Sequence, residues 1–150
     1  MQRLDRALIF SLLPLLPISW GCGSSKAPQS LVVENQSLAD VGEAYRVTTI
    51  ANNRPPKKLD ELLTAEGIGG NGLGLVRSGE ILVRLDAALP STGEEPGDGS
   101  SQEVLAYFKS VPESGGYVLM LDRTIKKMTA AEFASAPKAG KEPGTVSKKK

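Results

Sequence analysis

Hydrophobic residues early in this chain follow a helical spacing. Between residues 37 and 51 they recur three and four positions apart, as on one face of a helix; they are Leu38, Val41, Ala44 and Tyr45. Ser37 stands three residues before Asp40, an arrangement found at helix starts. Arg54-Pro55-Pro56 then prevents the helix from continuing. The pattern therefore predicts a helix from Ser37 to about Ala51, and a shorter one over residues 57–64.

Short apolar runs in the second half of the chain predict strands instead. They lie at residues 81–85, 104–108, 117–121 and 124–128. The last two runs are separated only by Asp122-Arg123, which predicts a β-hairpin, although arginine disfavours a positive φ. Thr129 and Glu132 form a capping box for a closing helix that presents Phe133. Because helices and strands are segregated, we expect an α+β fold in which the N-terminal helix packs on a small, about three-stranded antiparallel sheet, with short extra helices.

The first 21 residues have a pattern of their own. After the basic Arg6, the run from Ala7 to Trp20 contains no charge. Its 14 residues are fewer than the roughly 20 that a helix needs to cross a bilayer. A basic start followed by a short apolar core is typical of a secretory signal peptide. We therefore predict a signal peptide over residues 1–21 and export through the general secretory route; the alternative is a buried N-terminal helix.

The only cysteine of the chain follows this run directly. The pair Gly21-Cys22 resembles the lipobox of bacterial lipoproteins, in which the signal peptidase cuts before the cysteine and the thiol is acylated. The resemblance implies that Cys22 is a lipidation site and that the protein is anchored on a membrane of the cell envelope. Acyl chains contribute about 0.8 kcal/mol per buried CH₂, so two or three together hold a protein durably. The alternative is an ordinary reduced cysteine.

The flanks of the predicted domain are polar. Residues 22–36 lack periodicity and predict a flexible linker, whereas residues 137–150 are rich in Pro, Gly and Lys and predict a disordered basic tail. The globular domain is then expected over residues 37–136. From residue 22 to residue 137 the net charge is −4, and from residue 138 onward it is +4. The tail either contacts anionic polymers or lipids or only aids solubility, and the whole-chain charge of +1 gives no case for nucleic acid as a partner.

Composition excludes several kinds of chemistry. The chain has no histidine, which rules out Ser-His-Asp triads and His-ligated zinc, and one cysteine, which rules out an intrachain disulfide. The segment 67–72 matches G-x-G-x-x-G, but no strand is predicted before it and no helix after it, so we interpret it as a flexible loop. Ser135 and Lys138 spell S-x-x-K without its partner motifs. We therefore expect no catalysis; a hydrolase that uses carboxylates is the weaker alternative.

Two segments resemble a known family. Tyr45, followed by Asn53-Arg-Pro-Pro-Lys-Lys-Leu-Asp-Glu-Leu62, and later Gly116-Tyr-Val-Leu-Met-Leu-Asp-Arg-Thr-Ile-Lys126, resemble the soluble domain of type II secretion major pseudopilins and related bacterial lipoproteins of unknown function. The resemblance covers residues 38 to about 133 and implies a helix followed by a three-stranded antiparallel sheet. The chain lacks the prepilin cleavage site and the long apolar stem, so the resemblance concerns the globular scaffold.

The densest group of side-chain oxygens lies in a Gly-containing segment. Its acidic members are Glu94, Glu95, Asp98 and Glu103. Calcium takes six to eight oxygen ligands, often from a turning loop. The resemblance to major pseudopilins, which bind calcium in a loop between strands of this sheet, implies the same role here. The segment 94–103 is therefore a candidate calcium site, and the alternative is a solvated acidic loop.

Together these features give one functional expectation and one alternative. We expect a lipid-anchored cell-envelope protein with a structural or protein-interaction role, without catalysis and without a cofactor, whose partners are the membrane and an envelope protein. The alternative is a calcium- or ligand-binding envelope module that uses the acidic loop 94–103.

Overall fold

A long helix lies against an antiparallel sheet in the computed structural model, which describes residues 29–64 and 70–143. The helices are α1 (Gln29–Asn52), α2 (Leu59–Leu63), α3 (Gly70–Ser78), α4 (Val111–Ser114) and α5 (Ala130–Ser135). The strands are β1 (Ile81–Val83), β2 (Val104–Phe108), β3 (Gly116–Met120) and β4 (Ile125–Met128), and they pair in the order β1-β2-β3-β4. The α+β prediction is confirmed, with four strands rather than three. None of the helices within these two ranges is long and apolar enough to cross a bilayer.

The predicted apolar face of α1 forms the centre of the core. Leu38, Val41, Ala44 and Tyr45 are all fully buried. The Tyr45 hydroxyl donates to the carbonyl of Ala87 at 2.9 Å and accepts from its N–H at 3.0 Å. Burial raises the pKa of Tyr45 to about 12, so the hydroxyl remains a donor at physiological pH. This pair of bonds fixes the start of the segment that leads away from β1.

Helix α1 begins at Gln29, eight residues before the predicted start. Ser37, which we expected to cap the helix, is a buried residue in its interior. Helix α3 packs closely on the carbonyl of Ser37, so Ser37 belongs to the packed interior of α1 and not to its first turn. The predicted linker 22–36 is therefore helical from Gln29 onward. Its earlier part, the signal peptide 1–21 and Cys22 lie outside the described residues.

The Gly-rich segment is helical where the structure describes it. We expected a loop here, but α3 runs from Gly70 to Ser78. A Cβ atom on Gly72 would lie 2.3 Å from the carbonyl oxygen of Ser37. Only glycine allows this contact, so the residue that weakens the local helix propensity is the one that lets α3 dock on α1. Residues 65–69 are outside the described ranges.

The β3–β4 hairpin turns through three residues, not the predicted two. Leu119 pairs with Ile125, and the Met120 N–H donates to the Thr124 carbonyl at 2.8 Å. Arg123 is in the left-handed region at φ 66°. A three-residue hairpin requires that conformation at its last position, and contacts of the Arg123 side chain described below hold it there. The predicted capping box of Thr129 and Glu132 is confirmed at the start of α5.

The C-terminal strap, residues 137–141, corrects the predicted tail boundary. We expected disorder from residue 137, yet the chain is ordered across the ends of β1 and β2. The Ala139 N–H donates to the Val104 carbonyl at 3.0 Å, and the Lys141 N–H donates to the Leu85 carbonyl at 2.7 Å. Ala139 is fully buried. Backbone hydrogen bonds order this segment, and composition does not reveal them. Residues 144–150 lie outside the residues that the structure describes.

Candidate functional site

The acidic loop, defined here as residues 91–103, lies beside the middle of α1. The buried Arg123, which is 6% exposed, holds it there. Its guanidinium donates hydrogen bonds to three consecutive carbonyls, those of Gly93, Glu94 (3.2 Å) and Glu95 (2.8 Å). The same group lies 3.4 Å from the Glu43 carboxylate of α1. Arg123 therefore joins the hairpin turn, the loop and the helix.

A second arginine ties the loop to α1. Arg46 donates to both carboxylate oxygens of Glu43, at 2.9 and 2.6 Å, and to the carbonyl of Thr92 at 3.1 Å. The hydrogen bond from Arg46 lowers the pKa of Glu43, against a smaller opposing effect of burial, and the charges of Arg46 and Arg123 lower it further. Glu43 is thus ionised at neutral pH and fully engaged with the two arginines.

Asp122 stabilises the turn that presents Arg123. Its carboxylate accepts from the Thr124 hydroxyl at 2.6 Å, from the Thr124 N–H at 3.0 Å and from the Ser101 N–H at 3.1 Å. Burial alone raises the pKa of Asp122, but the hydrogen bonds from Thr124 and Ser101 outweigh it, so the pKa lies below its usual value. The sequence predicted that Asp122 lies in a turn, and these contacts agree with that position.

The four predicted calcium ligands do not converge. Glu94, Glu95 and Asp98 are exposed, and Glu103 is half-buried. In the part of the chain that the structure describes, no three Asp, Glu, Cys or His side chains lie close enough to hold a metal ion. The backbone oxygens of Glu94 and Glu95, which could have served as ligands, accept from Arg123 instead. The geometry therefore gives the calcium prediction no support.

Calcium binding can be tested by thermal unfolding. Because the Arg123 guanidinium occupies the loop carbonyls and repels cations, we expect millimolar calcium to leave the melting temperature of the protein unchanged. A cation that bound only the folded state would raise that temperature by mass action. A rise with calcium that is absent with an equal ionic strength of sodium would contradict this expectation and restore the loop as a metal site.

The acidic loop and α1 enclose an open depression of about 290 Å³. Its lining residues are Gln36, Ala39, Asp40, Glu43, Glu94, Pro96 and Arg123. Asp40 accepts from the Gln36 side chain at 3.0 Å and from the Gly72 N–H at 3.3 Å. Asp40 and Glu43 are thus already hydrogen-bonded within the domain. The depression therefore presents mainly acidic side chains to solvent.

Sequence reasoning missed the residues that organise this surface. Glu43 and Arg46 stand three apart on a helix, a spacing that favours ion pairs, so the sequence held a signal for them. Arg123 contacts carbonyls about thirty positions earlier in the chain. Nothing in local spacing points to such a contact, and the only hint was an arginine in a turn position that disfavours it.

The two motifs dismissed from the sequence have structural roles. The carboxylate of Asp40 occupies the start of α3, where a G-x-G-x-x-G loop would place a phosphate, and the preceding described element is the helix α2. Lys138 donates to the carbonyls of Phe133 and Ala136 (2.6 Å) at the end of α5. Burial lowers the pKa of Lys138, as does the charge of Arg84. Ser135 bonds to the Ala131 carbonyl at 3.1 Å, so the Ser135 and Lys138 side chains each serve the helix end.

Comparison with known proteins returns no relative for this chain. No protein-family model, curated protein or solved structure matches it. The resemblance to major pseudopilins and to bacterial lipoproteins therefore rests on the residues and motifs of the sequence.

Proposed function

We propose that this protein is a lipid-anchored cell-envelope protein whose folded domain has a structural or protein-interaction role and performs no catalysis. The observation that carries the proposal is the position of Cys22, directly after the 14-residue uncharged run from Ala7 to Trp20. The first described helix begins at Gln29, seven residues beyond this cysteine. A lipid on Cys22 would hold the domain close to a membrane surface.

The carboxyl groups whose pKa is shifted support a structural role for those side chains. In the described part of the chain, five acidic side chains have a lowered pKa: Glu43, Glu61, Asp86, Asp122 and Glu132. A general acid at neutral pH needs a raised pKa instead. Each of the five accepts hydrogen bonds or ion pairs from neighbouring groups, as is expected of carboxylates that stabilise a fold. The chain also has no histidine to serve as a base.

The architecture is compatible with a pseudopilin-like scaffold. We propose that the domain shares the arrangement of major pseudopilin soluble domains, in which a helix precedes an antiparallel sheet. The exposed acidic depression between α1 and the loop is a suitable contact surface for an envelope protein. Nucleic acid is excluded from the proposal because the domain carries an excess of acidic residues and would repel phosphates.

Lipidation of Cys22 is tested by replacing its thiol. We expect the Cys22→Ser protein to incorporate no labelled palmitate and to leave the membrane fraction on carbonate washing, because the thiol is the attachment atom. The matched control, Ser25→Ala, lies in the same segment and should behave as the unaltered protein. Cys22→Ser protein that stays membrane-bound after the wash would contradict the anchor.

A further inference from the structure

We infer that the amino-terminal end of α1 is seated end-on at the lipid surface, with Val32 and Val33 in contact with the bilayer and the sheet held away from it. The inference rests on the proposed anchor at Cys22 and adds the orientation of the domain. It assigns a role to an apolar surface that the described residues leave uncovered.

The apolar contact is a pair of adjacent valines in the first two turns of α1. Three large hydrophobic side chains of the described residues remain exposed: Val32 at 57%, Val33 at 56% and Ile50 at 51%. Val32 and Val33 border a groove of about 190 Å³, whose other walls are Gln36, Ser37 and Asn71. Apolar area in water is unfavourable, and its removal is the force that seats helices in a membrane interface.

The length of the connection to the anchor restricts what can cover these valines. Seven residue steps separate Cys22 from Gln29, and a chain spans at most about 3.3–3.6 Å per step, so the start of α1 lies within about 25 Å of the lipid whatever its path. With a rise of 1.5 Å per residue, Val33 is only about 6 Å further along the helix, whereas Ile50 is about 31 Å from the helix start. Of the large exposed apolar residues that the structure describes, the two valines therefore lie nearest to the anchor.

Charge favours an end-on seat over a helix lying flat. Asp40 is about 10 Å along the helix from Val33, a distance close to the screening length of about 8–10 Å at physiological ionic strength. Of the acidic residues of α1, an end-on contact brings the half-buried Glu34, next to Val33, near anionic headgroups, but it keeps Asp40 and Glu43 about a screening length or more away. A flat contact on this side of the helix would press the acidic depression against those headgroups.

The orientation can be measured with a tryptophan introduced on α1. The only tryptophan of the chain, Trp20, precedes Cys22, so the processed protein contains none and an introduced indole reports alone. Full-length Val33→Trp protein, and Ile50→Trp as the matched exposed control, are purified from membranes. Both are reconstituted into vesicles of phosphatidylethanolamine and phosphatidylglycerol that contain lipid brominated near the headgroup end of its chains. Val32→Trp provides a second reporter if Val33→Trp unfolds at a lower temperature than the unaltered protein.

The expected result is that the emission of Val33→Trp shifts to shorter wavelength and is quenched by brominated lipid, because interfacial helices lie about 5–10 Å into the headgroup boundary. Ile50→Trp should show neither effect. Equal quenching of the two variants would overturn the proposed contact of Val33 with lipid. An emission shift of Val33→Trp without quenching would also overturn it, because it would indicate that a protein partner covers the valines. Flotation with the vesicles separates the proposed anchor at Cys22 from the proposed orientation of α1. Protein that floats with an unquenched Val33→Trp retains the anchor and refutes the orientation, whereas protein that does not float refutes both.

Discussion

Replacement of Arg123 by alanine is expected to lower the free energy of unfolding by at least about 3 kcal/mol, since hydrogen bonds that involve a charged group contribute about 1.5–3 kcal/mol each and several are lost together. The guanidinium is almost fully buried and holds the carbonyls of Gly93, Glu94 and Glu95. Without it the acidic loop loses its main contact with the body of the domain. Urea unfolding measures the loss of stability, and limited proteolysis should show earlier cleavage within residues 91–103.

Two further variants separate the side-chain contacts from the backbone strain. Arg123 has φ 66°, a conformation that glycine adopts without penalty, so Arg123→Gly should be about 1 kcal/mol less destabilised than Arg123→Ala. Arg54→Ala, which removes a solvent-exposed ion pair with Glu61, should have a much smaller effect than either. If Arg123→Ala is no less stable than Arg54→Ala, Arg123 does not hold the loop.

Two glycines of α3 are expected to respond to alanine with opposite signs. A Cβ on Gly72 would lie 2.3 Å from the Ser37 carbonyl oxygen and 2.8 Å from the Asp40 Cβ, whereas a Cβ on Gly74 meets nothing within 4 Å. Gly72→Ala must push α3 away from α1, and we expect a loss of about 2 kcal/mol, in the range of overpacked cores. Gly74→Ala should gain about 0.5–1 kcal/mol, because alanine favours helix over glycine.

Chemical denaturation of the two proteins side by side provides the measurement. Both substitutions add one methyl group to the same helix, so the change in helix propensity is the same in both. The difference between their free energies of unfolding therefore reports packing. A stabilised Gly72→Ala protein would show that α3 does not rest on α1 as closely as described. Destabilisation of both proteins by equal amounts would show that the helix tolerates no side chain at either position.

Features that depend on local pattern were predictable from the sequence. The buried face of α1 follows from the spacing of Leu38, Val41 and Tyr45, and the capping box of α5 follows from two side chains three residues apart. The strands β2 and β4 lie within the apolar runs that predicted them. In each case the residues that determine the element are its own, so no knowledge of the rest of the fold is needed.

Features that depend on distant contacts were not predictable. Local composition argues against a helix at α3. The helix can pack on α1 because Gly72 has no Cβ to collide with the Ser37 carbonyl, which lies far away in the sequence. The same holds for the candidate site, where Arg123 occupies carbonyls that a linear search for oxygen ligands counts as free. The four acidic residues of the loop are close in the sequence but do not converge in the structure, because Arg123 holds the loop backbone; they are Glu94, Glu95, Asp98 and Glu103.

The C-terminal strap has a consequence for the order in which the domain can form. Lys141 pairs with Leu85, a partner more than fifty positions earlier, and Lys138 pairs with Val104, whose carbonyl accepts from the Ala139 N–H. Contacts of such separation form late, because the entropy of closing the intervening chain is lost before they form. A chain that emerges amino terminus first, from a ribosome or from a translocation pore, cannot complete this fold until residue 141 is released. Until then Ala139 is missing from the core and the ends of β1 and β2 lack their last partners, so the domain reaches its full stability only when the chain is free up to residue 141.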